Sequence, residues 1–238
     1  MRIVIFPSTF YGANCCVLLP DGAQQALVVD PSHGVADQVK HFLDDNKVQV
    51  GAILATHGHP DHIWDVAEMA SWGTDVPLYI PGPDRHRLAD PLSFILDAPD
   101  LSDIGPWCEP KVVEDMPLQS TQLVPGVWLQ MVPAPGHTEG SAIFLGECDI
   151  HVSTASGMTL MDSDTPVPWA LSGDVIFQGS VGRTDLPGGD EVQMRHTLRT
   201  LSNVIDPETW LIPGHGGITR WQRELATNPY VNRARHIG

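Results

Sequence analysis

Three imidazoles and a carboxylate fall within six residues of the run Thr56-His57-Gly58-His59-Pro60-Asp61-His62. Such a cluster cannot be packed into a core without partners, because every buried polar group needs a hydrogen bond or a cation. Imidazole and carboxylate are the preferred ligands of zinc, iron and manganese. Residues i and i+2 of an extended turn converge on one ion, which pairs His57 with His59. Asp61 and His62 lie on a first helical turn opened by Pro60, point elsewhere, and can serve a second ion. A histidine-rich surface loop is the ordinary alternative, and the spacing counts against it. Three further polar residues sit beside glycines at strand ends: Pro135-Gly136-His137-Thr138, Ser172-Gly173-Asp174 and Pro213-Gly214-His215-Gly216-Gly217. Singly each reads as a turn or a cap. Together, and in this order after the first cluster, they extend the ligand set.

The elements that must position these residues are readable around them. A continuous apolar run at 50–55 predicts a strand covered on both faces, ending where the first cluster begins. The carboxyl end of such a strand is where α/β sheets bind ligands. Upstream, runs at 2–6, 15–19 and 26–29 predict an antiparallel meander, with turns at Tyr11-Gly12-Ala13-Asn14 and Asp21-Gly22. Val35, Val39, Phe42 and Leu43 have helical spacing, as do Ile63, Val66, Ala67 and Ala70. Residues 77–80 predict a buried strand, and 85–118, rich in Pro and Asp, a short helix with loops. Further strands are expected at 123–124, 127–132, 141–145, 170–171, 175–177 and 210–212, and helices at 191–204 and 220–226. Residues 148–169 have little apolar periodicity and read as an inserted loop or irregular hairpin. Alternating strands and helices in both halves, without a repeat, predict an α/β sandwich of two sheets faced by helices, one domain over 1–238.

Bulk properties narrow the partners. A hydrophobic content of 42% with 18% charged residues fits a globular chain rather than a disordered one. A net charge of -16, with Arg and Lys few and scattered, argues against nucleic acid as substrate. No apolar run approaches the ~20 residues of a membrane span, and the apolar start at 3–6 is too short for a signal-peptide core. The expected compartment is the cytoplasm, with no membrane partner and a small-molecule substrate. Cys15, Cys16, Cys108 and Cys148 form neither a disulfide framework nor a zinc knuckle, so reduced thiols are expected.

With these motifs the chain resembles the metallo-β-lactamase superfamily over nearly its whole length. Within that superfamily it looks most like the short bacterial glyoxalase-II-like hydrolases. The run Phe177-Gln178-Gly179-Ser180-Val181-Gly182-Arg183-Thr184-Asp185-Leu186-Pro187-Gly188-Gly189-Asp190 carries their Gly-Ser-x-Gly-Arg-Thr-Asp pattern. The resemblance implies a four-layer αββα sandwich with two divalent metals at one edge. It implies His57, His59 and His137 on the first metal, Asp61, His62 and His215 on the second, and Asp174 bridging them. Zinc is the first expectation, and iron or manganese suits the same ligands. Two cations ~3.5–4 Å apart can share a hydroxide and polarise a carbonyl, which implies hydrolysis of a thioester or ester. Asp61 is the implied catalytic residue, accepting a hydrogen bond from that hydroxide and passing its proton to the leaving group.

Arg183 is the substrate-binding candidate. Glyoxalase II resembles the chain at this point but carries a Lys that contacts the glutathione portion. A guanidinium there would pair with a carboxylate of an anionic thioester. A structural ion pair with Asp185 or Asp190 is the alternative. The long C-terminal helical domain of full-length glyoxalase II has no counterpart in the sequence, and together with the 148–169 insertion this counts against glutathione as the thiol carrier. His33, after Asp30-Pro31-Ser32, is a weaker candidate for the site mouth. A mononuclear iron dioxygenase of thiol persulfides, using His57, His137 and Asp174, remains open, as do a lactonase and a non-catalytic metal-binding protein.

Overall fold

Alternation along the strands builds three apolar layers. In β1 (Arg2–Pro7), Ile3 and Ile5 enter one core while Val4 and Phe6 enter another. The same division runs through β2 (Asn14–Leu19), β3 (Gln25–Val29) and β4 (Gln49–Leu54). Both faces of these strands are buried, so their sequences read as continuous apolar runs. Farther along the chain, Leu129 and Met131 of β8 (Val127–Pro133), Phe144 of β9 (Ala142–Thr154) and Leu171 of β10 (Thr159–Gly173) join the core of Ile3 and Leu54. Their neighbours Ile143 and Ala170, with Leu211 of β13 (Trp210–Pro213), face the other way into a third core.

Helices close the two outer cores. α1 (Ala36–Asn46), α2 (Pro60–Ile63) and α3 (Val66–Ala70) cover the first, through Val39, Leu43, Ile63 and Met69. α4 (Glu191–Val204), α5 (Trp221–Thr227) and α6 (Pro229–His236) cover the third, through Leu198, Leu201, Trp221 and Val231. Burying one such leucine contributes roughly 1.5–3 kcal/mol. The result is the four-layer αββα sandwich expected from the sequence. The computed structural model describes residues 1–96 and 104–236.

One hairpin joins the two sheet halves. The near part of β9 pairs with β8 and with the end of β10, while its far part pairs in parallel with β1, Arg2 opposite His151. The remaining strands are β5 (Leu78–Ile80), β6 (Val113–Asp115), β7 (Thr121–Val124), β14 (Thr219–Arg220) and the small pair β11 (Ile176–Phe177) and β12 (Ser180–Val181). The long path runs β14-β13-β10-β9-β1-β2-β3-β4-β5-β6.

Of the two readings of residues 148–169, the irregular hairpin is the one found: they form most of the far β9–β10 hairpin, with register shifts between Thr159 and Met161 and between Ser163 and Val167. Ile150, Val152 and Met161 are its buried row, a sparse period-two signal diluted by exposed polar residues on the other face. The helix expected from Ile63 to Ala70 is split into α2 and α3 at Asp65. There the backbone N–H donates to Pro31 and the carboxylate accepts from Gly34 N–H, so the chain leaves the helical path. Residues 85–118 take in the end of the 3-10 helix Gly82–Ala89, the 3-10 helix Pro91–Phe94 and a short strand at Val113–Asp115 in place of one short helix with loops; the part of that expectation at 97–103 lies outside the described residues. Helix α6 was not anticipated. All four cysteines are free thiols, and among the described residues no helix is long and apolar enough to cross a membrane.

Candidate metal centre

Every ligand candidate sits just past the carboxyl end of a strand. β4 delivers His57 and His59, and Pro60 at the first position of α2 turns Asp61 and His62 onto a helical turn. β8, β10 and β13 end just before His137, Asp174 and His215. β10 and β13 are parallel neighbours, and Gly214 N–H donates to Gly173 at 2.8 Å, which locks the Asp174 and His215 turns together. A side chain at position 214 would put its Cβ 2.2 Å from Asp174 Oδ1, so only glycine lets the carboxylate lie there. Gly136 has φ +139, and a Cβ there would meet the Met194 backbone of α4 at 2.5 Å.

The seven candidates are gathered into one cluster. His57, His59 and His137 form one group, His57, His62 and Asp174 a second, and Asp61, His62 and His215 a third; within each, the donor atoms lie within 4.8 Å of one another. His59 Nδ1 is 3.1 Å from His57 Nε2 and 2.8 Å from His137 Nε2. His62 Nε2 is 3.2 Å from His215 Nε2. Asp174 stands between the groups, one oxygen 3.4 Å from His62 and the other 3.5 Å from His137 and 3.3 Å from His215.

Hydrogen bonds around the cluster decide which way the ring nitrogens face. His137 Nδ1 lies 2.7 Å from the Arg183 carbonyl, so it donates there and leaves the Nε2 lone pair facing inward. His62 Nδ1 lies 3.0 Å from Asp30 Oδ2, with the same consequence. Thr56 donates its hydroxyl to Asp30, so it can only accept from His57 Nδ1, and His57 Nε2 also faces inward. A partner on the outer nitrogen that fixes the tautomer is the usual arrangement around a metal. Asp30, on a left-handed backbone at the end of β3, thus orients two imidazoles.

Electrostatics calls for added positive charge. Burial pulls His62 down, but Asp174, Asp61 and Asp30 outweigh it and lift it to about 9. Burial also lowers His215, and its hydrogen bonds to Asp174 and Asp61 raise it to about 11. Burial would raise Asp174 and Asp61, yet the facing imidazoles hold both carboxylates below their ordinary range. His57 and His59 go the other way, pushed down by burial and by neighbouring imidazoles, His59 to about 3. Protons drawn to His62 and His215 by the carboxylates, beside His57 and His59 lone pairs that cannot take them, fit a donor set for divalent cations. Asp174 Oδ1 and His59 Nε2 are buried without a hydrogen-bond partner among the described residues, which fits the same reading.

The cluster opens into a cavity of about 490 Å³. Its walls are largely apolar, with Tyr11, Ile95, Leu96, Phe177, Val181 and Leu186, and Arg183 adds a cation. The guanidinium pairs with Asp185 through two contacts of 2.7 and 2.8 Å, the structural ion pair expected as the alternative, and the residue also lines the cavity. His33 is not part of the lining; its ring lies 3.3 Å from Asp65.

Asp30, Asp84, Arg87 and Asn14 were missed from the sequence. Asp84 and Arg87 are fully buried, 3.4 Å apart, in the 3-10 helix Gly82–Ala89. Asn14 donates to the Pro213 and Gly216 carbonyls and so supports the His215 turn. Only Asp30 had a signal, a carboxylate directly at the end of a predicted strand.

A family model described as the metallo-beta-lactamase superfamily matches residues 9–215. A Mycobacterium leprae protein is 32% identical over 235 residues, 97% of this chain and 99% of its own length. The hydroxyacylglutathione hydrolase GloC of Haemophilus influenzae is 26% identical over 246 residues, 98% of this chain and 99% of its own. Among solved structures, the B3 metallo-beta-lactamase BLEG-1 matches with a TM-score of 0.73 at 25% identity, covering 96% of this chain and 99% of that one.

Proposed function

This chain belongs to the metallo-beta-lactamase superfamily, and within it we propose a two-metal hydrolase of an anionic thioester or ester. The observation that carries the reading is the pair of donor groups joined by Asp174 at the floor of one cavity. His57, His59 and His137 would hold one divalent cation, Asp61, His62 and His215 the other, with Asp174 shared and zinc the first choice. Bound there, the cations would supply a nucleophile at neutral pH and polarisation of a carbonyl.

The remaining work falls to the side chains. Asp61 is kept ionised and lines the cavity, so its carboxylate can accept a proton and hand it to a leaving group. The apolar wall binds an acyl chain and keeps bulk water away. Arg183 meets a carboxylate on the leaving portion. Its bond to Asp185 is no obstacle, since a solvent-exposed ion pair is screened by water and salt and can be exchanged for substrate. The name of the Haemophilus relative supports the thioester class.

The test is metal analysis of the purified chain with assays on a panel of thioesters, esters and lactones. Two zinc ions per chain and chelator-sensitive thioester hydrolysis are expected. One iron per chain with oxygen uptake on a persulfide would replace this reading by the dioxygenase, and turnover of lactones alone would replace the substrate class.

A further inference from the structure

Asp84 is a fully buried acid that belongs to no motif, and its contacts all fall on one side of the metal centre. Its Oδ2 accepts from Gly58 N–H at 2.7 Å and from the Thr138 hydroxyl at 2.7 Å. Its Oδ1 accepts from Gly140 N–H at 2.6 Å and faces Arg87 Nε at 3.4 Å. Gly58 is the residue between His57 and His59, and Thr138 follows His137. The two loops that carry one three-histidine group are therefore joined to each other through one carboxylate, although they come from opposite halves of the chain. The approach is close: a Cβ at position 140 would lie 2.6 Å from Asp84 Oδ1. The other group makes no contact with Asp84: His62 is held by Asp30, which also reaches His57 through Thr56, and the His215 turn is held by Asn14.

Arg87 extends the anchor. Its Nη2 donates to the Pro187 carbonyl at 3.0 Å and pairs with Glu139, so the segment beyond Arg183 is tied to the same point.

We propose that Asp84 is a positioning residue that sets the affinity of the three-histidine metal position and leaves the Asp61–His62–His215 position unchanged. This rests on the two-metal reading above. Three imidazole nitrogens must converge on a zinc–nitrogen distance of ~2.0–2.1 Å, and their lone pairs repel one another until a cation arrives. A rigid anchor that joins the two loops keeps them converged in advance. Asp84→Asn keeps the shape but offers one oxygen and one amide. In either orientation the amide N–H faces the backbone N–H of Gly58 or of Gly140, so one loop loses its anchor.

The test is zinc titration calorimetry on the metal-free full chain, with thermal melts alongside, for wild type, Asp84→Asn, Thr138→Val, His59→Ala, the Asp84→Asn/His59→Ala pair and Leu198→Ala. Wild type is expected to bind two zinc ions and His59→Ala one. Asp84→Asn should weaken one zinc by about 10–100-fold, the usual cost of losing a group that orients a ligand. The other zinc should stay within about twofold, the tolerance of independent sites. In the His59→Ala background Asp84→Asn should not alter the zinc that remains. Thr138→Val, which removes one donor and little volume, should act in the same direction and less. Leu198→Ala in the outer core should lower the melting temperature and leave both affinities alone. Equal weakening of both zinc ions by Asp84→Asn, or weakening of the zinc that survives His59→Ala, overturns the proposal while the two-metal reading stands. A wild type that binds no zinc or other divalent ion overturns that reading, and this proposal with it.

Discussion

The two halves of the chain build the centre in different ways. The first half supplies four donors from one turn of backbone, between β4 and the first turn of α2. The second half supplies three, each from the end of a different strand. In the first half the relative placement of His57, His59, Asp61 and His62 is mostly local geometry. In the second, His137, Asp174 and His215 meet only if β8, β10 and β13 hold their register. A local cluster tolerates small shifts as a unit. A dispersed one has its precision stored in strand pairing and in the glycines at the turns.

The change with the largest expected effect strikes the donor that joins both halves. Asp174→Ala should leave fewer than two metal ions per chain after dialysis. It should also lower kcat/KM by at least about 10³-fold, since several kcal/mol of charge stabilisation go with the metals. Two retained ions would show that the halves do not depend on a shared carboxylate. Next, Gly214→Ala should cost about 10²-fold in activity with the melt largely kept, because the new Cβ pushes on Asp174 and on His62 Cε1 at 2.8 Å. Gly58→Ala, where the Cβ meets mainly the Arg87 side chain, should cost less. Equal losses in the two glycine variants would break the distinction between local and dispersed construction. The smallest effect is expected at the cavity wall. Arg183→Ala should raise KM about 10–100-fold with kcat nearly unchanged, the signature of losing one charge-assisted contact to substrate. Asp61→Ala should instead lower kcat. If Arg183→Ala lowered kcat at constant KM, its role would be structural or catalytic.

The same asymmetry explains what could be read in advance. His57 to His62 stand out because metal-binding residue types crowd a stretch that follows an apolar run. His137, Asp174 and His215 stand out because each is flanked by glycine at a strand end. Asp84 leaves no such trace. Its partners are backbone N–H groups of Gly58 and Gly140 and one hydroxyl, and backbone groups carry no residue identity. Arg87 looks like any surface arginine until it is found buried beneath Glu139 and Pro187. The strands of the meander and helix 191–204 were legible because their apolar periods are dense. The far hairpin was legible only as one of two readings, beside a loop, because only one of its faces meets the core.

The pairing of β1 with the far part of β9 also has a consequence for synthesis of the chain. Arg2 and His151 are 149 residues apart in sequence but opposite each other in the sheet. At translation rates of ~5–20 residues per second, the N-terminal meander waits roughly 7–30 s before its partner strand has left the ribosome. During that interval β1 is an open, strongly apolar edge, the kind of template that recruits other nascent chains. A slow stretch of codons between the two strands would therefore cost yield through aggregation, while the molecules that did fold would carry a normal metal centre.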